Sequence, residues 1–159
     1  MPNGTCLVKI MVERIGEKEQ LQILSIEING REPIKLKRKV ANHDEAIELI
    51  LQSLIHPDYG VISSLEEIDA VGHRVVHGGE EFTGSVVIDE RVIAAIEKYA
   101  DLAPLHNPPN LAGIRAIQKY LPHIKQVACF DTAFHTTIPE VAYMYALPYD
   151  LYKKYGIRR

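Results

Sequence analysis

Two short apolar runs, Ala70-Val71-Gly72-His73-Arg74-Val75-Val76 and Val127-Ala128-Cys129-Phe130, constrain the fold more than any other feature of the chain. Each has the length of a short buried strand. Between them lie two helical periods. One starts at Asp89 and carries Val92, Ile93, Ile96 and Tyr99 on one face; the other follows Pro108-Pro109 and carries Leu111, Ile114 and Ile117. Strands alternating with helices in this way, after an opening set of strands, specify an α/β domain built on a mixed sheet.

The opening set is equally legible. Cys6 to Glu13 is rich in β-branched residues and closed by Gly16, so it reads as a strand. Leu24, Ile26 and Ile28 alternate with polar residues, Asn29-Gly30 supplies the positive φ angles of a tight turn, and Ile34 and Leu36 alternate again, which is a hairpin signal. Asn42 followed by Glu45 resembles a capping box. It precedes Ala46, Ile47, Ile50, Leu51, Leu54 and Ile55 at helical spacing, until Pro57. From Thr132 onward the periodicity is lost, and most of the tyrosines fall in a packed excursion without regular period.

A chain of 159 residues with 47% apolar and 25% charged residues fits one globular domain. Its formal charge of -3 gives no global basic field, and the patch Lys35-Leu36-Lys37-Arg38-Lys39 reads as a solvated strand face, so nucleic acid is not an expected partner. No apolar run approaches the length of about 18 residues that a membrane span needs, and no signal segment opens the chain, so a cytoplasmic location is expected. Cys6 and Cys129 each sit in an apolar stretch and read as two buried thiols. They form no metal-binding spacing with the seven histidines, and no metal site is expected from them.

Ligands of α/β sheets gather beyond the carboxyl ends of strands. Two polar constellations lie there. In His73-Arg74-Val75-Val76-His77-Gly78-Gly79 a guanidinium interrupts an apolar strand, which then runs into a double glycine that lets a ligand or another backbone approach. Arg74 needs an anion: either a carboxylate or phosphate ligand held by its planar fork, or a structural Asp or Glu. In Phe130-Asp131-Thr132-Ala133-Phe134-His135 the strand ends on an acid, which either serves Mg²⁺ or proton exchange with a phosphate, or caps a helix. A stiff proline-bounded turn displays His106 and Asn107, with no partner at catalytic spacing, and no Gly-rich phosphate cradle of the P-loop type is present.

Together with Ala103-Pro104-Leu105-His106-Asn107-Pro108 and Tyr145-Ala146-Leu147-Pro148-Tyr149, these constellations resemble the signature blocks of the acetate kinase family, which includes propionate and butyrate kinases. The resemblance runs from about Glu13 to Arg159. It implies a ribonuclease-H-like sheet of the actin-like and hexokinase-like phosphotransferases, and reversible transfer of the γ-phosphoryl of ATP to acetate, giving acetyl phosphate and ADP. Mapped residue by residue, Arg74 is similar to the arginine that binds the substrate carboxylate, and Asp131 to the acidic residue beside the transferred phosphoryl. Val76 and Leu105 are similar to residues lining the pocket for the acyl methyl group. ATP and Mg²⁺ are the implied cofactors.

The same resemblance implies a fragment truncated at both ends. No Ser-rich turn followed by Lys precedes Met1, which looks like an internal methionine of a longer chain. No Gly-His-Gly-Thr-Ser-His block follows Arg159. The expected organisation is residues 1–131 as a first domain lacking its initial strands and 132–159 as the start of a second. With the absent strand central to the family sheet, the expectations are a marginal or altered fold, a homodimer or a complementing chain, and either catalysis or only carboxylate binding.

Overall fold

A computed structural model describes residues 4–17, 19 and 21–159; Met1 lies outside them. The described chain divides into two compact units, one formed by the described residues up to Asp69 with Ala112–Ile124 and the other by Ala70–Leu111 with Lys125–Arg159.

In the first unit, strands β1 (Val8–Glu13), β2 (Gln22–Ile28) and β3 (Ile34–Arg38) pair antiparallel in the order β1-β2-β3. The opening strands thus form a sheet of their own. Leu24 and Ile26 are its buried core positions, both on the central strand. At the β2–β3 turn only Gly30 takes a positive φ, at 77°, with the Arg31 N–H donating to the Ile28 carbonyl at 3.0 Å. Asn29 keeps a negative φ, so this is not the doubly positive turn the sequence suggests. The basic run of β3 is solvated as expected, with Lys35, Lys37 and Arg38 exposed.

Helix α1 (His43–Leu54) begins where the cap predicts. Asn42 Oδ1 accepts from the Glu45 N–H at 2.9 Å, and Glu45 Oε2 accepts from the Ala41 N–H at 2.8 Å, one residue earlier than in a strict capping box. Ala46 and Leu51 are buried, together with Val40, Ile114 and Ile117, and complete the apolar core of this unit.

The second unit holds the mixed sheet. Strands β4 (Ala70–Val75), β5 (Val86–Val87) and β6 (Lys125–Phe130) lie in the order β4-β6-β5, with β4 parallel and β5 antiparallel to β6. Helix α2 (Glu90–Lys98) starts on an Asp89 cap whose Oδ1 accepts from the Val92 N–H at 2.9 Å. It buries Val92, Ile93 and Ile96. Helix α3 (Asn107–Tyr120) starts at Asn107, ahead of the expected position, because Pro108 and Pro109 sit in its first turn, where missing N–H groups cost nothing. After β6 the chain makes a 3₁₀ turn over Asp131–His135, then two short helices, α4 (Glu140–Tyr143) and α5 (Tyr149–Tyr155).

One face of the mixed sheet is buried through Val75, Ala128 and Phe130, with the Phe82 ring stacked on Phe130 at 4.6 Å. The opposite face, carrying Gly72, Arg74 and Cys129, is exposed. The expectation of two buried thiols is therefore corrected. Cys6 precedes the first ladder and Cys129 points to the open face, so both are exposed and free. An apolar run of four residues reads as buried on both faces, and here it is buried on one.

Candidate functional site

The parallel register pairs Arg74 with Cys129 and Val75 with Phe130. Paired residues of a parallel ladder project to the same face, and Asp131, two residues beyond Cys129, follows to that face as well. Arg74 and Asp131 therefore meet as diagonal neighbours at the strand ends. Arg74 Nε donates to Asp131 Oδ1 at 3.0 Å and Oδ2 at 3.1 Å, and Nη2 donates to Oδ2 at 2.6 Å. Of the two alternatives for each residue, the apposition realises the acid partner for Arg74. It also removes the cap role from Asp131, whose 3₁₀ turn has no side-chain cap.

The pair is accessible, with the Arg74 side chain 75% and the Asp131 side chain 39% exposed. Hydrogen bonding to Arg74 holds the Asp131 carboxyl below the usual carboxylate range against the opposing effect of burial, with smaller contributions from the charges of Arg74 and His106. The guanidinium is correspondingly raised by Asp131. A bidentate pair open to water is held less firmly than a buried one, so an incoming oxyanion can exchange with the carboxylate on the guanidinium.

Beyond β4 the backbone is held by side chains alone. The N–H groups of Val76, His77 and Gly78 donate to Asn110 Oδ1, Asn107 Oδ1 and Thr132 Oγ1 at 3.2, 3.1 and 3.1 Å, and Gly79 N–H donates to His77 Nδ1 at 3.1 Å. Asn107 is fully buried, and its Nδ2 donates to the carbonyls of His77 at 2.9 Å and Ile96 at 3.0 Å. It thereby extends the strand by one side chain and satisfies a carbonyl in the last turn of α2. The double glycine admits aromatic rings: a Cβ on Gly78 would lie 2.5 Å from the Phe130 ring, and one on Gly79, where φ is 62°, would lie 2.1 Å from Tyr99.

Val76 is half-buried at the end of the strand, whereas Leu105 is 82% exposed on the turn before His106. The structure thus brings Arg74 and Asp131 together and leaves Leu105 open to solvent. Asn107 reads in the sequence only as a residue displayed by a stiff turn, and no local signal marks it, Asn110 or Thr132 as an acceptor for the backbone beyond β4. The described residues contain no group of three or more His, Cys, Asp or Glu placed to hold a metal. Mg²⁺ needs only one or two carboxylates beside water and phosphate oxygens, a requirement Asp131 fits as a single ligand.

A model of the acetokinase family matches residues 1–159. The chain belongs to the acetokinase family. The acetate kinase of Carboxydothermus hydrogenoformans is 53% identical over 159 residues, which is all of this chain and 39% of that protein. Among solved structures, the acetate kinase of Porphyromonas gingivalis superposes with a TM-score of 0.94 at 50% identity, covering 100% of this chain and 39% of that one. A propionate kinase from Francisella tularensis gives a TM-score of 0.86 at 36% identity, covering 98% of this chain and 38% of that one. The acetokinase fold, mixed α/β of the actin-like class, is thus the one the motifs imply. The chain spans about 39% of the length of the curated acetokinases it matches.

Proposed function

We propose that this chain carries the carboxylate-binding part of an enzyme that reversibly transfers a phosphoryl group from ATP to acetate, giving acetyl phosphate and ADP. The observation that carries the proposal is the exposed Arg74–Asp131 apposition at the ends of two parallel strands, at positions that match the family motifs. Arg74 orients the acetate carboxylate through its fork, aiming one oxygen for attack. Asp131, kept ionised by Arg74, lies beside the transferred group and is the residue that would face Mg²⁺. ATP and Mg²⁺ supply the phosphoryl group and offset its spreading charge. Val76 and Leu105 contact the acyl methyl group. Residues 1–131 correspond to the first family domain and 132–159 to the opening of the second.

We further infer a cytoplasmic protein that works as a homodimer or with a complementing chain. No helix among the described residues is long and apolar enough to cross a membrane. A second reading is that the chain binds a short carboxylate without turnover, which the exposed Arg74 fork supports by itself. The propionate kinase likeness leaves propionate or butyrate as alternative acyl groups.

Titration of the chain with acetate, followed by the Arg74 side-chain resonances, tests the binding. Movement of those resonances that persists or grows in Asp131→Asn, where the competing carboxylate is gone, supports the site, and no movement sinks it. Hydroxamate-coupled detection of acetyl phosphate with Mg-ATP then separates the readings: turnover that disappears in Arg74→Ala supports the kinase, and binding without turnover supports the second.

A further inference from the structure

A cavity of about 380 Å³ opens beside the loop that follows β4, lined by His77, Tyr99, Leu102, Thr132, Tyr143 and Arg159 among others. Arg74, Asp131, Val76 and Leu105 are absent from its wall, so it is separate from the carboxylate site. Its volume falls in the range of small-molecule pockets.

The hydrogen bonds already made fix which polar groups still face it. Gly79 N–H donates to His77 Nδ1 at 3.1 Å, so the neutral ring carries its proton on Nε2, which has no protein partner among the described residues. Burial pushes the His77 pKa down, consistent with a neutral ring. Thr132 Oγ1 accepts from Gly78 N–H at 3.1 Å, which leaves the hydroxyl hydrogen free to donate. Charge follows the same pattern. Arg158, only 17% exposed, is neutralised by Glu80 and lies over the Tyr143 ring, at 3.6 Å from its centroid. Arg159 has no carboxylate partner among the described residues and lies 5.6 Å from the Tyr145 ring centroid. The wall thus offers two neutral donors, one guanidinium with no Asp or Glu partner among the described residues, two tyrosine rings and a leucine, beside the Glu80 carboxylate whose charge Arg158 balances.

From this arrangement we propose that the cavity is a second binding site, for a small organic anion whose carboxylate or phosphate is joined to an aromatic body. His77 Nε2–H and Thr132 Oγ1–H donate to the oxyanion, Arg159 balances its charge, and Tyr99, Tyr143 and Leu102 cover the ring. The proposal does not rest on the kinase reading, because none of the residues assigned to that reaction takes part.

Phenyl phosphate and benzoate are the probes, with inorganic phosphate and acetate as controls, titrated into the isotope-labelled chain to about 10 mM. The amides of Gly78, Gly79 and Thr132 move with phenyl phosphate or benzoate. Affinity falls about tenfold in Arg159→Gln, which removes the balancing charge and leaves the hydrogen bonds of the loop after β4 in place. Leu102→Trp, at a position 38% exposed, fills the cavity without touching a donor and abolishes binding while the far-ultraviolet spectrum is unchanged. Arg74→Ala leaves binding intact. Absence of any shift at these amides, equal affinity for inorganic phosphate alone, or loss of the shifts in Arg74→Ala each overturns the proposal; the last would place the anion at the carboxylate site.

Discussion

Asn107→Ala tests the claim that one buried amide holds the loop after β4. The substitution removes three hydrogen bonds, from His77 N–H and to the carbonyls of His77 and Ile96, at a side chain with no solvent exposure. Leaving a buried polar group without a partner costs about 1–3 kcal/mol. The His77 groups are half-buried and regain part of this from water, while the Ile96 carbonyl is buried, so the total is about 3–5 kcal/mol. For a chain of this length that lowers Tm by about 10 °C. Asn107→Asp sharpens the test because it preserves volume. One oxygen still accepts from His77 N–H, but the other replaces a donor and opposes two carbonyls, so Asp is at least as destabilising as Ala near neutral pH. Urea unfolding followed by circular dichroism measures both. An Asp variant as stable as the parent, or an Ala variant within about 1 kcal/mol of it, would refute the assignment of hydrogen bonding as the cause.

Gly79→Ala and Gly30→Ala form a matched pair, since both glycines have positive φ, at 62° and 77°, but only Gly79 has a ring within reach of a Cβ. Gly30→Ala loses about 1 kcal/mol and Gly79→Ala about 2–4 kcal/mol in chemical denaturation, and equal losses would remove Tyr99 from the account. Burial depresses the pKa of both His73 and His77 below the usual 6.5. Above that value both rings are neutral in folded and unfolded chains. As pH falls below it the unfolded chain takes up protons first, so stability declines towards the folded-state values; His73→Gln reduces the slope of Tm in this window, and an unchanged slope contradicts the burial effect. The Asp131 carboxyl is held below its usual 3.8, so its contribution is present above that value and is lost as pH falls through the folded-state pKa. Asp131→Asn removes only this lower limb of the stability profile.

How far the sequence determined this structure depends on the range of the interactions involved. The starts of α1 and α2 are legible to the residue because Asn42 and Asp89 act on N–H groups three positions away. Five of the six described strands are legible because alternation and β-branching are local, whereas β5, two residues long, has no period to read. What the chain could not disclose locally was which face of β6 is covered, and so Cys129 was misplaced although its strand was correctly located. Arg74 illustrates the same limit at the site. Its need for an anion follows from charge alone, and Asp131 was identified separately as a strand-end acid. That the two form one pair depends on the β4–β6 register, a contact across 57 positions that neither motif encodes by itself. Asn107 lies at the far end of this scale. It stands before two prolines, where a residue displayed by a stiff turn is the local expectation, yet its full burial arises because β4 runs out of strand partners and four successive N–H groups need acceptors from α3, the 3₁₀ turn and the loop itself. Counting unpaired backbone groups beyond a strand end is therefore the step that leads from the legible motifs to the residues that position them.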